Sequence, residues 1–183
     1  MAGINFRNSY FAVLLSLGTC CIIMTGCQQT NAPEQDQQKT SYTSEPLIKA
    51  NKKAVRVEDE QIRDYITRMG LQMNETGTGL RYIIYKNGKG PVARTGKVVR
   101  IEYECRLISG ELCYTSEKTG PREFKIGSGG VESGLEEGIL LMRKDDKAKF
   151  ILPSHLAFGL IGDQDKIPGK ATLVYDVHLL DIN

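Results

Sequence analysis

The chain has 183 residues, 24 of them basic and 22 acidic, for a formal net charge of +2. That length admits one ordinary domain with appendages rather than two full domains. A balance so close to neutral leaves no basic stripe to neutralise phosphates, which argues against a nucleic acid partner.

Residues 1–26 read as an address. Arg7 supplies positive charge, Tyr10 to Met24 is an almost uninterrupted apolar run, and Thr25 and Gly26 precede Cys27. Those are the parts of a secretory signal peptide. Met24-Thr-Gly-Cys27 is similar to a bacterial lipobox, with Met24 where an aliphatic residue is usual. The similarity implies that Cys27 is lipidated and anchors the mature chain to a membrane face. The other reading is an uncleaved transmembrane helix, for which the run is a little short. Residues 27–50 are expected to form a flexible tether, because Gln, Thr, Ser, Asp and Asn dominate from 28 to about 45 and almost nothing in that stretch can enter a core. No acidic cluster directly follows Cys27, so the expected location is the periplasmic side of the cell envelope, at the outer membrane.

Residues 51–78 carry a helical pattern ahead of the main domain. Ile62, Tyr65, Ile66 and Met69 fall at i, i+3, i+4 and i+7, and Gly70 is placed to stop the helix. Glu58, Asp59 and Glu60 suit the positive end of a helix running from Val57 to Met69. Residues 79–183 make the domain proper. Leu80 to Tyr85 is rich in β-formers, Asn87 to Pro91 is turn chemistry, and Val98 to Leu107 predicts a second strand. Ile108 to Glu111 reads as a hairpin loop, Leu112 to Thr115 as the returning strand, and Phe124 to Ile126 as another short strand.

The C-terminal stretch carries the clearest periodicities. Leu135, Ile139 and Met142 share one helical face, and Ser133 with Glu136 makes a capping-box pattern. Ala148 to Leu152 predicts a strand and Leu156-Ala-Phe-Gly an irregular loop. In the closing segment Leu173, Tyr175, Val177 and Leu179 alternate with Thr172, Val174, Asp176 and His178, a period of two. Together these elements predict an α+β fold, a largely antiparallel β-sheet wrapped around one short helix and preceded by an N-terminal helix.

Paired metal-ligand spacings, a phosphate-binding loop and a Ser/His/Asp arrangement are all lacking from the sequence, so no cofactor or metal is expected. His155 and His178 stand alone and read as surface residues. If residues 108–110 form a three-residue loop, Cys105 and Cys113 lie opposite each other. A cross-strand disulfide is then geometrically conceivable in an oxidising compartment. Because such pairs are usually strained, two free thiols are the expectation.

Three blocks in order and at matching spacing carry a resemblance to the FKBP-type peptidyl-prolyl cis-trans isomerases. They are Gly134-Leu-Glu-Glu-Gly, Pro153-Ser-His-Leu-Ala-Phe-Gly and Ala171-Thr-Leu-Val-Tyr-Asp-Val. The resemblance runs from about Leu80 to Ile182. With Phe158-Gly-Leu-Ile-Gly-Asp-Gln-Asp-Lys-Ile it looks closest to the gliding-motility-associated lipoprotein branch. It implies an isomerase of X-Pro bonds in extracytoplasmic polypeptides. By position, it places Tyr103, Val131, Phe158, Ile167 and Tyr175 in the catalytic pocket and the N–H of Glu132 at the substrate-binding donor. Cys113, Tyr114 and Leu135 belong to the pocket wall.

The chain departs from the family at several of these positions. Tyr114 stands where the family has an aspartate, Cys113 and Leu135 replace aromatic residues, Arg122 replaces a pocket phenylalanine, and Phe158 replaces a tyrosine. These changes enlarge and polarise the cup, which implies weak turnover. A rival reading is a non-catalytic chaperone or assembly factor using the same cup, and a third is a structural lipoprotein. Some FKBP-type lipoproteins dimerise through an N-terminal helical region. A single helix here reads more readily as a lid packed on its own domain.

Overall fold

The computed structural model describes residues 45–183; Cys27, the leader and the tether as far as residue 44 lie outside them. Helix α1 spans Glu45–Arg68. Seven strands follow: β1 Asn74–Glu75, β2 Arg81–Lys86, β3 Val98–Leu107, β4 Leu112–Thr115, β5 Arg122–Lys125, β6 Lys147–Leu152 and β7 Leu173–Ile182. Two further helices, α2 Ser116–Thr119 and α3 Ser133–Leu140, flank β5, and a 3-10 turn Ser154–Leu156 follows β6. All pairings are antiparallel, in the order β1-β2-β6-β7-β3-β4, with β5 also paired to β3.

The period of two sets which residues meet α3. Phe150 pairs with Tyr175, Leu152 with Leu173, and Cys105 with Tyr175 across the sheet. Each is fully or nearly fully buried on one face, together with Leu135 and Ile139 of α3. Close contact between α3 and β6 explains the two glycines of Gly134-Leu-Glu-Glu-Gly. A Cβ at Gly138 would lie 2.8 Å from the Phe150 ring, and one at Gly134 would lie 2.8 Å from Leu152. Only the absence of a side chain lets helix and strand approach so far.

The opposite face is covered in part by α1. Ile62 packs on Ile151 and Val174, with Tyr65, Ile66, Met73 and Ile108 around them. Strand β7 therefore buries Val174 as well as the alternating set that the sequence predicts. Polar ties accompany this contact. Arg81, itself only 8 % exposed, bonds Asp59 at 2.7 Å and Glu75 at 2.8 Å. The Glu58 carboxylate accepts from Ser154 N at 2.6 Å, Ser154 Oγ at 3.1 Å and Thr172 Oγ1 at 2.8 Å.

Several local expectations change in the folded chain. Helix α1 starts at Glu45, so residues 45–50 are helical, and Glu58 to Glu60 sit mid-helix. Glu58 and Asp59 face partners on the domain rather than the helix dipole. Gly70 does stop the helix, at φ 61, with Leu71 N bonded to Ile66 O at 3.0 Å. Met69, beyond the last helical residue, is exposed rather than packed with Ile62.

At α3 the capping box does not form. Glu132 is the N-cap without a side-chain bond, Ser133 Oγ donates to Leu156 O, and Glu136 Oε1 accepts from Gly127 N. Tertiary partners outcompete the local pair, and Met142 is buried just past the helix end. Cys105 and Cys113 are not opposite each other. Arg106 pairs with Leu112 but Cys105 pairs with Tyr114, so a bulge absorbs Cys113 and moves it out of register. Both thiols are free and buried.

Candidate functional site

A cavity of about 560 Å³ opens where β3, β4, β5 and β7 meet the start of α3 and the loop after β6. Tyr103 and Tyr175 form one side, their ring centroids 6.0 Å apart and the planes inclined by 37°. Val131 leads into α3, and Phe158 with Ala157 comes from the loop. The sequence-predicted Tyr103, Val131, Glu132, Phe158, Tyr175 and Tyr114 thus converge on one hollow. Cys113, Leu135 and Ile167 do not line it. At 4 %, 0 % and 2 % exposure they pack into the core.

The hollow is more polar than an aliphatic cup. Glu132 is 8 % exposed, and its Oε1 accepts from the Tyr175 hydroxyl at 3.0 Å. Burial first, and then the Glu132 charge, push the Tyr175 phenol well above its usual range, so it stays a donor. Arg122 at the lip bonds the Gly130 carbonyl at 2.6 Å. The main-chain N–H of Glu132 donates to no group among the described residues.

Asp163 also lines the cavity, and sequence reasoning missed it. The Tyr114 hydroxyl donates to Asp163, and Asp163 Oδ1 accepts from the N–H groups of Asp165 at 3.0 Å and Ile167 at 2.8 Å. Burial alone would raise its carboxyl. The Tyr114 hydroxyl and these backbone donors outweigh it and hold the group below the usual carboxylate range. The same bond, with some burial, raises the Tyr114 phenol. The returning strand brings Tyr114 to the cavity, and the loop brings an acid to meet it. Its signal was the Asp163-Gln-Asp165 run, which fits an Asx-type turn.

A second hollow of about 720 Å³ lies between α1 and the domain, against Ile48, Val55, Ile62, Arg81 and Pro153. It is the larger, but no Tyr or Phe lines it. His155 at its edge bonds the Thr78 carbonyl, and His178 meets Glu102 elsewhere on the surface.

Residues 90–180 match the model of the family described as FKBP-type peptidyl-prolyl cis-trans isomerase. Over 91 residues the chain is 41 % identical to FK506-binding protein 2 of Dictyostelium discoideum, spanning 49 % of this chain and 68 % of that one. The chain belongs to the FKBP-type isomerase family. It is also 40 % identical over 108 residues to the probable FKBP-type peptidyl-prolyl cis-trans isomerase FkpA of Neisseria meningitidis, covering 58 % of this chain. It spans only 39 % of that relative's length. Among solved structures, the crystal structure of FkpA from Escherichia coli superposes with a TM-score of 0.62 at 31 % identity, over 77 % of this chain and 66 % of that one. The crystal structure of AtFKBP13 superposes at 0.58 with 27 % identity, over 61 % of this chain and 99 % of that one. The matched residues include every residue that lines the 560 Å³ cavity, from Tyr103 to Tyr175.

Proposed function

We propose that this chain is a peptidyl-prolyl cis-trans isomerase acting on extracytoplasmic polypeptides, tethered to a bacterial membrane by lipid at Cys27. The supporting observation is an unpaired main-chain N–H, that of Glu132, at the edge of a cavity walled by Tyr103, Val131, Phe158 and Tyr175. Rotation about an X-Pro bond is opposed by amide resonance, about 20 kcal/mol, and makes or breaks no covalent bond. Such a reaction needs no nucleophile and no metal. It needs a surface that binds the twisted amide better than the planar one.

Phe158, Tyr103 and Val131 exclude water, and the less polar twisted amide loses less than the planar form by leaving water. The Glu132 N–H holds a client carbonyl while the bond turns. The lipid anchor, the periplasmic face and the gliding-motility branch are part of this proposal and rest on the sequence pattern alone.

The polar cavity favours a second reading, in which Arg122, Glu132 and Tyr114 retain peptide binding while turnover is lost. Both readings are tested by one experiment. The full chain in detergent is added to a refolding protein limited by proline isomerisation, beside a Phe158→Ala variant. Acceleration that falls at least ten-fold in the variant supports the enzyme. Suppressed aggregation without acceleration supports the binding module.

A further inference from the structure

The Glu132 side chain, distinct from its main-chain N–H, is incompletely satisfied. Among the described residues, Glu132 Oε2 is the buried side-chain oxygen without a hydrogen-bond partner. Its side chain is 4 % exposed and lies on the cavity wall. Oε1 is taken by the Tyr175 hydroxyl. Arg122 Nη1 is 3.9 Å from Oε2, beyond hydrogen-bond reach, and Arg122 Nη2 is committed to the Gly130 carbonyl. A buried acceptor left open is costly, and a charged one more so, unless a donor arrives.

Charge decides which donor. The ionisable acids and bases lining the cavity are Glu132, Asp163 and Arg122, formally one negative charge in sum. Asp163 stays ionised because its carboxyl is held low by Tyr114 and backbone donors, against the opposing effect of burial. Lys166 is not on this wall; its ammonium bonds the Cys113 carbonyl and lies over the Tyr114 ring. A carboxylate binds a cationic donor more strongly than a neutral one, and a net negative hollow repels acidic side chains.

We propose that Glu132 Oε2 receives the cationic side chain of a Lys or Arg flanking the client proline, so that the cavity selects basic X-Pro segments over apolar ones. This rests on the isomerase or peptide-binding reading of the same cavity. It makes the Glu132 carboxylate a specificity determinant, separate from the N–H that holds the client carbonyl.

The test is a peptide series Ala-Xaa-Pro-Phe with Lys, Arg, Leu or Glu at Xaa. Binding to the full chain is measured by calorimetry at low salt, and isomerisation by exchange NMR. Lys and Arg peptides are expected to bind about ten-fold tighter than the Leu peptide, about 1.4 kcal/mol, with the Glu peptide weakest. Glu132→Gln keeps an acceptor for Tyr175 while removing the charge, and should compress the series to within about two-fold. Arg122→Gln removes the competing cation and should steepen it, which decides the matter even if Glu132→Gln fails to fold. Leu binding as well as Lys, a Lys preference that survives Glu132→Gln, or no binding at all overturns the inference. Ranked binding without isomerisation upholds the selectivity and removes the enzyme, whereas isomerisation without ranking does the reverse.

Discussion

Two tyrosine–carboxylate pairs govern the cavity's chemistry at the residue scale. Tyr114 to Asp163 spans β4 and the loop, and Tyr175 to Glu132 spans β7 and the start of α3. Because Asp163 is lowered in the folded chain, its contribution to stability is complete above the ordinary unfolded carboxylate range and fades as pH falls through the folded value. Tyr114→Phe removes the hydroxyl donor, so the Asp163 carboxyl should titrate at higher pH, as NMR of the side-chain carboxyl would register. An unchanged titration would mean that the backbone donors alone hold it. Cys105 offers a cleaner test. Burial pushes its thiol up to about 12, and the residue is wholly shielded. In the native protein it should stay unlabelled by iodoacetamide at pH 8 and react only after denaturation, as peptide mass spectrometry would show.

At the scale of elements, the contacts between α3 and β6 and between α1 and the sheet carry the mutational consequences. Gly138→Ala drives a methyl into the Phe150 ring and should cost about 1–3 kcal/mol in urea unfolding. A cost near zero would show that Phe150 moves aside freely. Ile62→Ala opens a hole against Ile151 and Val174 and should cost about 2–5 kcal/mol, the range for such truncations at well-packed sites. A cost below about 1 kcal/mol would mean that α1 rests on the sheet without stabilising it. The hairpin between β3 and β4 shows the limit of local reading. Its loop falls at residues 108–111 as expected, yet one bulge beyond it shifts Cys113 off Cys105 and places Tyr114 where it can reach Asp163.

Across the whole molecule, Glu58 links α1 to both ends of the segment that supplies Phe158 and Asp163. It holds Ser154 at the start of that segment and Thr172 at its end. Glu58→Ala should therefore raise amide exchange across residues 154–172 while leaving β3 and β7 protected. Exchange confined to α1 would show that the loop keeps its shape unaided.

The sequence by itself determined what short-range periodicity and backbone chemistry control. Strand β3, strand β4, the alternating β7, the stop at Gly70 and the apolar face of α3 could all be read from neighbours a few residues apart. The ordered blocks around Gly134, Pro153 and Ala171 were enough to place the family. Tertiary structure decided whatever depended on distant partners. Glu136 serves Gly127 instead of a capping box, Glu58 serves the loop instead of a helix end, and Val174 is buried because α1 covers its face. It also decided that Leu135 and Ile167 are core while Asp163 reaches the cavity. A period shows that a side chain faces inward or outward, but only the packed chain sets which group it meets there.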